Sequence, residues 1–200
     1  MSVKILGGLL KGFSLAIEDQ EKTRATSILL KRKIFDFRQN WDHFYFCDLC
    51  AGSGSVGIEA WSRGANQLLC IDLDAKTILS LKKKFQLIKQ KFYEECSQRE
   101  LLILKLEAEN FLKDLEKYNL KYSFLQKRWV LFIDPPYERL SIYQGLKESL
   151  QKESFFCEVW IESDNLKGLT KDSWPSSLGN YNRSRHYQHG DHYIIQYVRN

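Results

Sequence analysis

No apolar run in this 200-residue chain approaches the roughly 20 residues that a helix needs to cross a bilayer, so no membrane-spanning helix is expected. The first ten residues hold one lysine and a glycine pair, with neither a long apolar core nor a small-residue cleavage pattern. No secretory leader is therefore expected, and the cytoplasm is the expected compartment. Cysteine is sparse and odd in number, at five, and no second pair accompanies Cys47-x-x-Cys50. That argues against a disulfide framework or a zinc ribbon and for reduced, buried thiols. Of four histidines, His186, His189 and His192 fall three apart around an expected hairpin turn. Strand alternation there scatters side chains rather than gathering them on a metal, so no metal is expected. Internal repeats and low-complexity segments are absent.

What is present is an ordinary globular composition, 44% hydrophobic and 28% charged, in a length that suits one core. Net charge is +5, and its distribution is uneven: residues 1–40 carry eight basic groups and four acidic ones. A basic arm beside a catalytic domain suits a polyanion such as RNA. Residues 1–40 are accordingly expected to form an arm, a hairpin plus a helix, with the boundary inside Lys11–Thr26 and the main domain over 41–200. The phosphate-contact candidates are Lys4, Lys11, Arg24, Lys31, Arg32 and Lys33; the competing reading is a solvated helix face. Lys82-Lys83-Lys84 is read as a solvated helix face, with contact to RNA phosphate as the alternative, and the lysine helix Lys76–Lys91 is the next candidate for RNA binding after the arm.

Periodicity then alternates strand and helix. Strands are expected over Tyr45–Cys50, Gln67–Ile71, Leu101–Leu106, Trp129–Ile133 and Phe156–Ile161. Helices are expected over Val56–Arg63, Lys76–Lys91, Glu109–Tyr118 and Leu140–Leu150. Two terminal strands, Tyr181–Tyr187 and His192–Val198, flank His189-Gly190-Asp191 as an antiparallel hairpin. The pattern predicts an α/β fold, a mostly parallel Rossmann-like sheet with helices on both faces. Trp129 and Trp160 are expected in its core.

Two motifs carry chemistry. Asp48-Leu49-Cys50-Ala51-Gly52-Ser53-Gly54-Ser55-Val56-Gly57 holds a complete G-x-G-x-x-G between a strand and a helix. Glycines there turn tightly and let a ligand approach the backbone. Asp72 ends the next strand, where an acid accepts hydrogen bonds from ribose hydroxyls. Asp48, four residues before the first glycine, would repel a pyrophosphate and suits a ligand ammonium. The second motif, Val130-Leu131-Phe132-Ile133-Asp134-Pro135-Pro136-Tyr137, brings the Asp134 carboxylate and the Pro135 carbonyl to the ligand edge beside the Tyr137 ring. Two acceptors grip and orient a conjugated exocyclic amine, and an aromatic ring stacks on a base turned out of its helix.

These stretches resemble the bacterial 16S rRNA guanine-N2 methyltransferases of the RsmD type. The likeness begins at Ile5-Leu6-Gly7-Gly8-Leu9-Leu10-Lys11-Gly12 and runs through both motifs, Ser62-Arg63-Gly64-Ala65, Trp160-Ile161-Glu162-Ser163 and Gly190 to Tyr197. It implies a class I methyltransferase that uses S-adenosyl-L-methionine to methylate N2 of a guanine in 16S rRNA, within the small ribosomal subunit, as a monomer. It implies cofactor contacts around Asp48, Ala51, Gly52, Ser53, Gly54, Asp72 and Leu73, with Glu107 and Ala108 near the adenine, and base contacts at Asp134, Pro135 and Tyr137. The chain departs from the family's Arg-Pro-Thr stretch, reading Arg24-Ala25-Thr26-Ser27-Ile28-Leu29, and places the longer Glu107 where a shorter Asp or Asn is usual. The alternatives are an adenine-N6 methyltransferase on DNA or RNA, a nicotinamide-dependent oxidoreductase and a non-catalytic RNA-binding protein.

Overall fold

The computed structural model describes residues 2–16 and 28–200. Two short strands, β1 (Ser2–Lys4) and β2 (Ser14–Ala16), pair antiparallel, and helix α1 (Ile28–Phe37) comes next. Strand and helix then alternate through β3 (Phe44–Leu49), α2 (Ser55–Ser62), β4 (Gln67–Asp72) and α3 (Ala75–Lys91). A single turn, α4 (Tyr93–Cys96), precedes β5 (Glu100–Lys105), α5 (Ala108–Lys113), α6 (Leu115–Tyr122), β6 (Arg128–Ile133), α7 (Leu140–Lys152) and β7 (Glu158–Asp164). The chain closes with β8 (Ser177–Leu178) and the hairpin β9 (Tyr181–His189) and β10 (His192–Arg199).

The main sheet has the order β5-β4-β3-β6-β7-β10-β9-β8. Its first five strands are parallel and the last three run antiparallel, as the expected fold requires. Alternation along β3 feeds two cores, one on each face. Phe44 and Phe46 point to the α1–α3 layer with Trp41, Trp61 and Trp160, while Cys47 and Leu49 point to the α5–α7 layer with Phe111, Trp129 and Leu146. Cys47 and Cys70 are fully buried, and all five cysteines are free thiols.

Two elements differ from expectation. The single helix expected over Glu109–Tyr118 is two helices, α5 and α6, because Asp114 leaves helical geometry at φ −109°, ψ 30°. The bend lets Leu115 and Tyr118 join the same core as Phe111 and Leu112. Strand β7 runs on to Asp164, because β10 pairs with it as far as His192 opposite Asp164. Glu162 and Asp164 are polar, so the apolar pattern stops short, yet both are buried.

The N-terminal elements are locked to α2 through Glu59, whose side chain is fully buried. Its Oε2 accepts from the Leu6 amide at 2.8 Å and faces Lys31 Nζ at 3.5 Å, and its Oε1 accepts from Arg63 Nε at 2.8 Å. Lys31 was expected on the surface; it is 1% exposed, turned inward to this carboxylate, and its pKa is lowered by burial, opposed by the charge of Glu59. The expected boundary inside Lys11–Thr26 falls mostly outside the described residues. Removing one partner of a buried ion pair leaves an uncompensated charge and costs about 3–5 kcal/mol. Glu59→Ala is therefore expected to lower stability by that amount in urea unfolding, while Glu138→Ala, at an exposed position, should lie within about 0.5 kcal/mol of wild type.

Candidate functional site

The site lies where β3, β4 and β6 end side by side. Asp48 is the fifth residue of β3, Asp72 the last of β4, and Asp134 directly follows β6, its amide reaching the Leu49 carbonyl at 3.4 Å. Between β3 and α2 the backbone takes positive φ at Cys50 (66°), Gly52 (49°) and Gly54 (72°), which coils the loop tightly enough for helix α2 to start at Ser55. Gly57 has a different reason to be glycine: a Cβ there would stand 2.8 Å from Asp48 Oδ2 and 2.6 Å from Leu68 Cδ1. The bare backbone instead lets the Gly57 amide donate to Asp48 Oδ2 at 2.9 Å. Asp72 braces the same loop, accepting from the Gly52 amide through Oδ2 and from the Asp74 amide through Oδ1, both at 2.9 Å.

A cavity of about 770 Å³ opens at this edge, within the usual size of a small-molecule site. It brings together Asp48, Ala51, Gly52, Ser53, Asp72, Leu73, Glu107, Ala108, Asp134, Pro135 and Tyr137. Gly54 alone of the expected cofactor set is not part of its wall; it sits behind, where a Cβ would strike Leu81 at 2.6 Å. Seven acidic residues and two basic ones line the cavity. Burial pushes the Asp48 carboxyl up to about 8, opposed by the Gly57 amide and reinforced by the charges of Asp134 and Asp72. Asp72 is also raised, chiefly by burial. The thiol of Cys50, in the same wall, is raised well above its ordinary value by burial and by these acids, which leaves it unreactive.

Tyr137 was expected to stack on a base. Its ring is 2% exposed, because its hydroxyl is drawn toward Glu162 Oε1 at 3.5 Å and His192 Nδ1 at 3.2 Å, with His192 in turn 3.4 Å from Asp164 Oδ2. The tyrosine is thus part of the wall, tied to β7 and the terminal hairpin. Sequence reasoning missed this brace, because Glu162 and His192 lie far from the motif along the chain. It also missed Glu109 and Arg139. Arg139 Nη2 donates to Glu109 Oε1 at 2.6 Å and lies 3.4 Å from Glu107, closing the cavity rim. Glu109 Oε2 is buried in the same wall without a hydrogen-bond partner among the described residues. An acid one residue past Ala108 was the available signal.

The expected RNA contacts separate. Lys4, Lys11, Arg32 and Lys33 are exposed, and Lys31 is buried as described. Arg24 lies outside the described residues. Lys11 sits in a loop whose Leu9 and Leu10 amides bond Ser62, the end of α2 remote from the glycine loop. Lys33 Nζ donates to the Gln188 carbonyl at 2.7 Å, joining α1 to β9. In α3, Lys82 and Lys83 are solvated as expected, but Lys84 is 6% exposed, its Nζ donating to the Ser53 carbonyl at 3.0 Å behind the glycine loop.

Known proteins are similar to this chain in sequence and in fold. The chain is 29% identical over 184 residues to the ribosomal RNA small subunit methyltransferase D of Haemophilus influenzae, covering 86% of this chain and 84% of that protein. Among solved structures, a putative methyltransferase from Escherichia coli superposes with a TM-score of 0.73 at 19% identity, covering 100% of this chain and 98% of the other. The tRNA (uracil-54, C5)-methyltransferase of Pyrococcus abyssi, in complex with S-adenosyl-L-homocysteine, superposes with a TM-score of 0.61 at 15% identity, covering 99% of this chain and 44% of that one. The structural likenesses show that this chain shares the fold of these proteins. The family described as conserved hypothetical protein 95 matches residues 3–195, and the chain belongs to it.

Proposed function

We propose that the chain transfers a methyl group from S-adenosyl-L-methionine to the exocyclic N2 amine of a guanine in 16S rRNA. The observation that carries this reading is the acid-lined cavity in which Asp48, Asp72 and Asp134 stand at the same edge of adjacent strands. Its donor set fits the cofactor. Excess carboxylate suits a ligand that bears a sulfonium and an ammonium, whereas a pyrophosphate would be repelled, which also speaks against the nicotinamide alternative. The names of the curated relatives support ribosomal RNA as the acceptor.

When bound, S-adenosyl-L-methionine supplies a methyl group already activated on sulfur. The protein's task is then to hold and orient. Asp48 meets the ammonium, and Asp72 has oxygen lone pairs left for the ribose hydroxyls after bonding the Gly52 and Asp74 amides. Asp134 and the Pro135 carbonyl would accept hydrogen bonds from the two N–H groups of the target amine, and the Asp134 carboxylate stands where it can take the proton the nitrogen loses on methylation. That grip turns the nitrogen lone pair toward the methyl group and stabilises positive charge as it develops on nitrogen. Tyr137, held by Glu162 and His192, walls the base side. Glu107 and Ala108 border the adenine side.

Asp134→Ala is expected to lower turnover by about 10²-fold, the effect of losing one preorganised electrostatic contact, while cofactor affinity stays within a few-fold in calorimetry. Digestion of RNA labelled from radioactive cofactor should place the label on guanosine; label on adenosine would instead establish the N6 alternative. A second expectation follows from Asp48. The fold favours its protonated form, so its contribution to stability is full below the unfolded pKa near 4 and is lost as pH rises toward 8. Asp48→Asn keeps an acceptor for Gly57, so the ligand-free variant should be more stable than wild type at pH 8, by about 1–3 kcal/mol, with the gap closing toward pH 4. Its cofactor binding should be weak and flat with pH, whereas wild-type affinity should rise between about pH 6 and 8 as Asp48 ionises against the ligand ammonium.

A further inference from the structure

We infer that the outer face of α3 is the docking surface for the phosphate backbone of the RNA substrate, an inference that rests on the RNA reading above. Helix α3 holds six lysines and no acid in 17 residues. Lys84 is turned inward; Lys76, Lys82, Lys83, Lys89 and Lys91 are exposed. Helical spacing sets Lys76, Leu79, Lys83 and Leu87 along one stripe, with Lys82 and Lys89 along its flank. The two leucines are 55% and 56% exposed, and Tyr93, just past the helix, is 76% exposed. Apolar groups left open among cations suit contact with sugar and base surfaces between phosphates.

The stripe starts at the cavity mouth. Leu73, Asp74 and Lys76 line the cavity, and Lys76 to Lys89 extends about 20 Å away from it at a helical rise of about 1.5 Å per residue. Lys105, exposed at the end of β5 in register with Asp72, adds a further cation at the same edge. Asp74 caps the first turn, and Lys89 and Lys91 in the last turn suit the helix dipole, but Lys76, Lys82 and Lys83 gain nothing from it, so helix self-stability does not account for the whole pattern. The acids around the face are Asp72 and Asp74 at its start and Glu94, Glu95 and Glu100 beyond its end. The N-terminal arm offers less. Lys31 is buried, Lys11 lies at the far end of α2, and the exposed Arg32 and Lys33 of α1 share their helix with the exposed Asp36.

The test is a full-length triple variant, Lys82→Gln with Lys83→Gln and Lys89→Gln. It is titrated with protein-free 16S rRNA, and with small ribosomal subunits from cells lacking the gene, between about 50 and 200 mM salt. Each lost phosphate contact lowers the slope of log affinity against log salt by about 0.7–0.9, so the slope should fall by about 2 on rRNA. The KM for RNA should rise about tenfold or more at physiological salt. Melting temperature and affinity for S-adenosyl-L-homocysteine should not move, and the corresponding triple lysine-to-arginine variant should restore the slope. Arg32→Gln with Lys33→Gln should change it by less. An unaltered slope and KM overturns the inference. Weaker binding to subunits with an unaltered slope on rRNA also overturns it, since the face would then meet a ribosomal protein. Wild-type enzyme that methylates neither substrate refutes the underlying reading instead, and the binding slope still decides the question of α3.

Discussion

Parallel strands joined by helical crossovers all finish at the same edge of a sheet, so the residue that ends one strand lies beside the residue that ends the next. Here that edge gathers Asp48, one residue short of the end of β3, Asp72, the last of β4, and Asp134, the first after β6. Three carboxyl groups gathered beside one cavity oppose one another's ionisation, which is visible in the upward push on Asp48 by burial and by both neighbours. The edge therefore holds electrostatic strain that a cationic ligand relieves. Much of the surrounding structure keeps these acids in place: the Gly57 amide on Asp48, and the Gly52 and Asp74 amides on Asp72.

The same amides couple the site to the rest of the molecule. Helix α2 carries Gly57 at one end of its run and Glu59 just beyond, so the helix that steadies Asp48 also anchors Leu6, Lys31 and Arg63. Lys84 of α3 meets the Ser53 carbonyl from the opposite side of the loop. Three elements thus converge on a loop whose positive-φ residues would otherwise relax. A preorganised site needs such support, since a displacement of about 1 Å at the reacting atoms is enough to lose most of the orientation effect.

How much of this was legible in the sequence depended on range. Asp48, the glycine loop, Asp72 and Asp134-Pro135 are each set by local order of strand, turn and helix, and all reach the cavity edge; only Gly54 stands behind it. The succession of strands and helices along the chain and the terminal hairpin were legible through alternation of apolar runs with turn residues; the order of strands within the sheet was not. Contacts between distant segments were not. Tyr137 carries no local sign that Glu162 and His192 will hold its hydroxyl. Lys31 and Lys84 read as surface cations because a lysine in a helix usually is one. Their burial depends on Glu59 and the Ser53 carbonyl, which only the folded chain brings near. Glu109, two residues past Glu107, carries no local sign of its partner, yet it is Glu109 that Arg139 binds at 2.6 Å.

The proposed reaction makes two electrostatic demands that cannot share one surface. A cationic cofactor calls for carboxylates, and a polyanionic substrate calls for lysines. Were the two mixed, the bases would neutralise the acids that hold the cofactor, and the acids would weaken every nearby phosphate contact. Separation by more than the Debye length of about 8 Å at physiological salt resolves the conflict, because exposed charges beyond that distance scarcely feel one another. The geometry meets this condition along most of the helix: Lys76 shares the cavity wall with the acids, but Lys82 to Lys89 lie about 9–20 Å beyond it along α3. Acids dominate the cavity wall, while the exposed lysines of α3 begin at its rim and continue for about 20 Å outward. Only a single neutral nucleobase has to enter the acidic region, and the phosphates that carry it there stay outside.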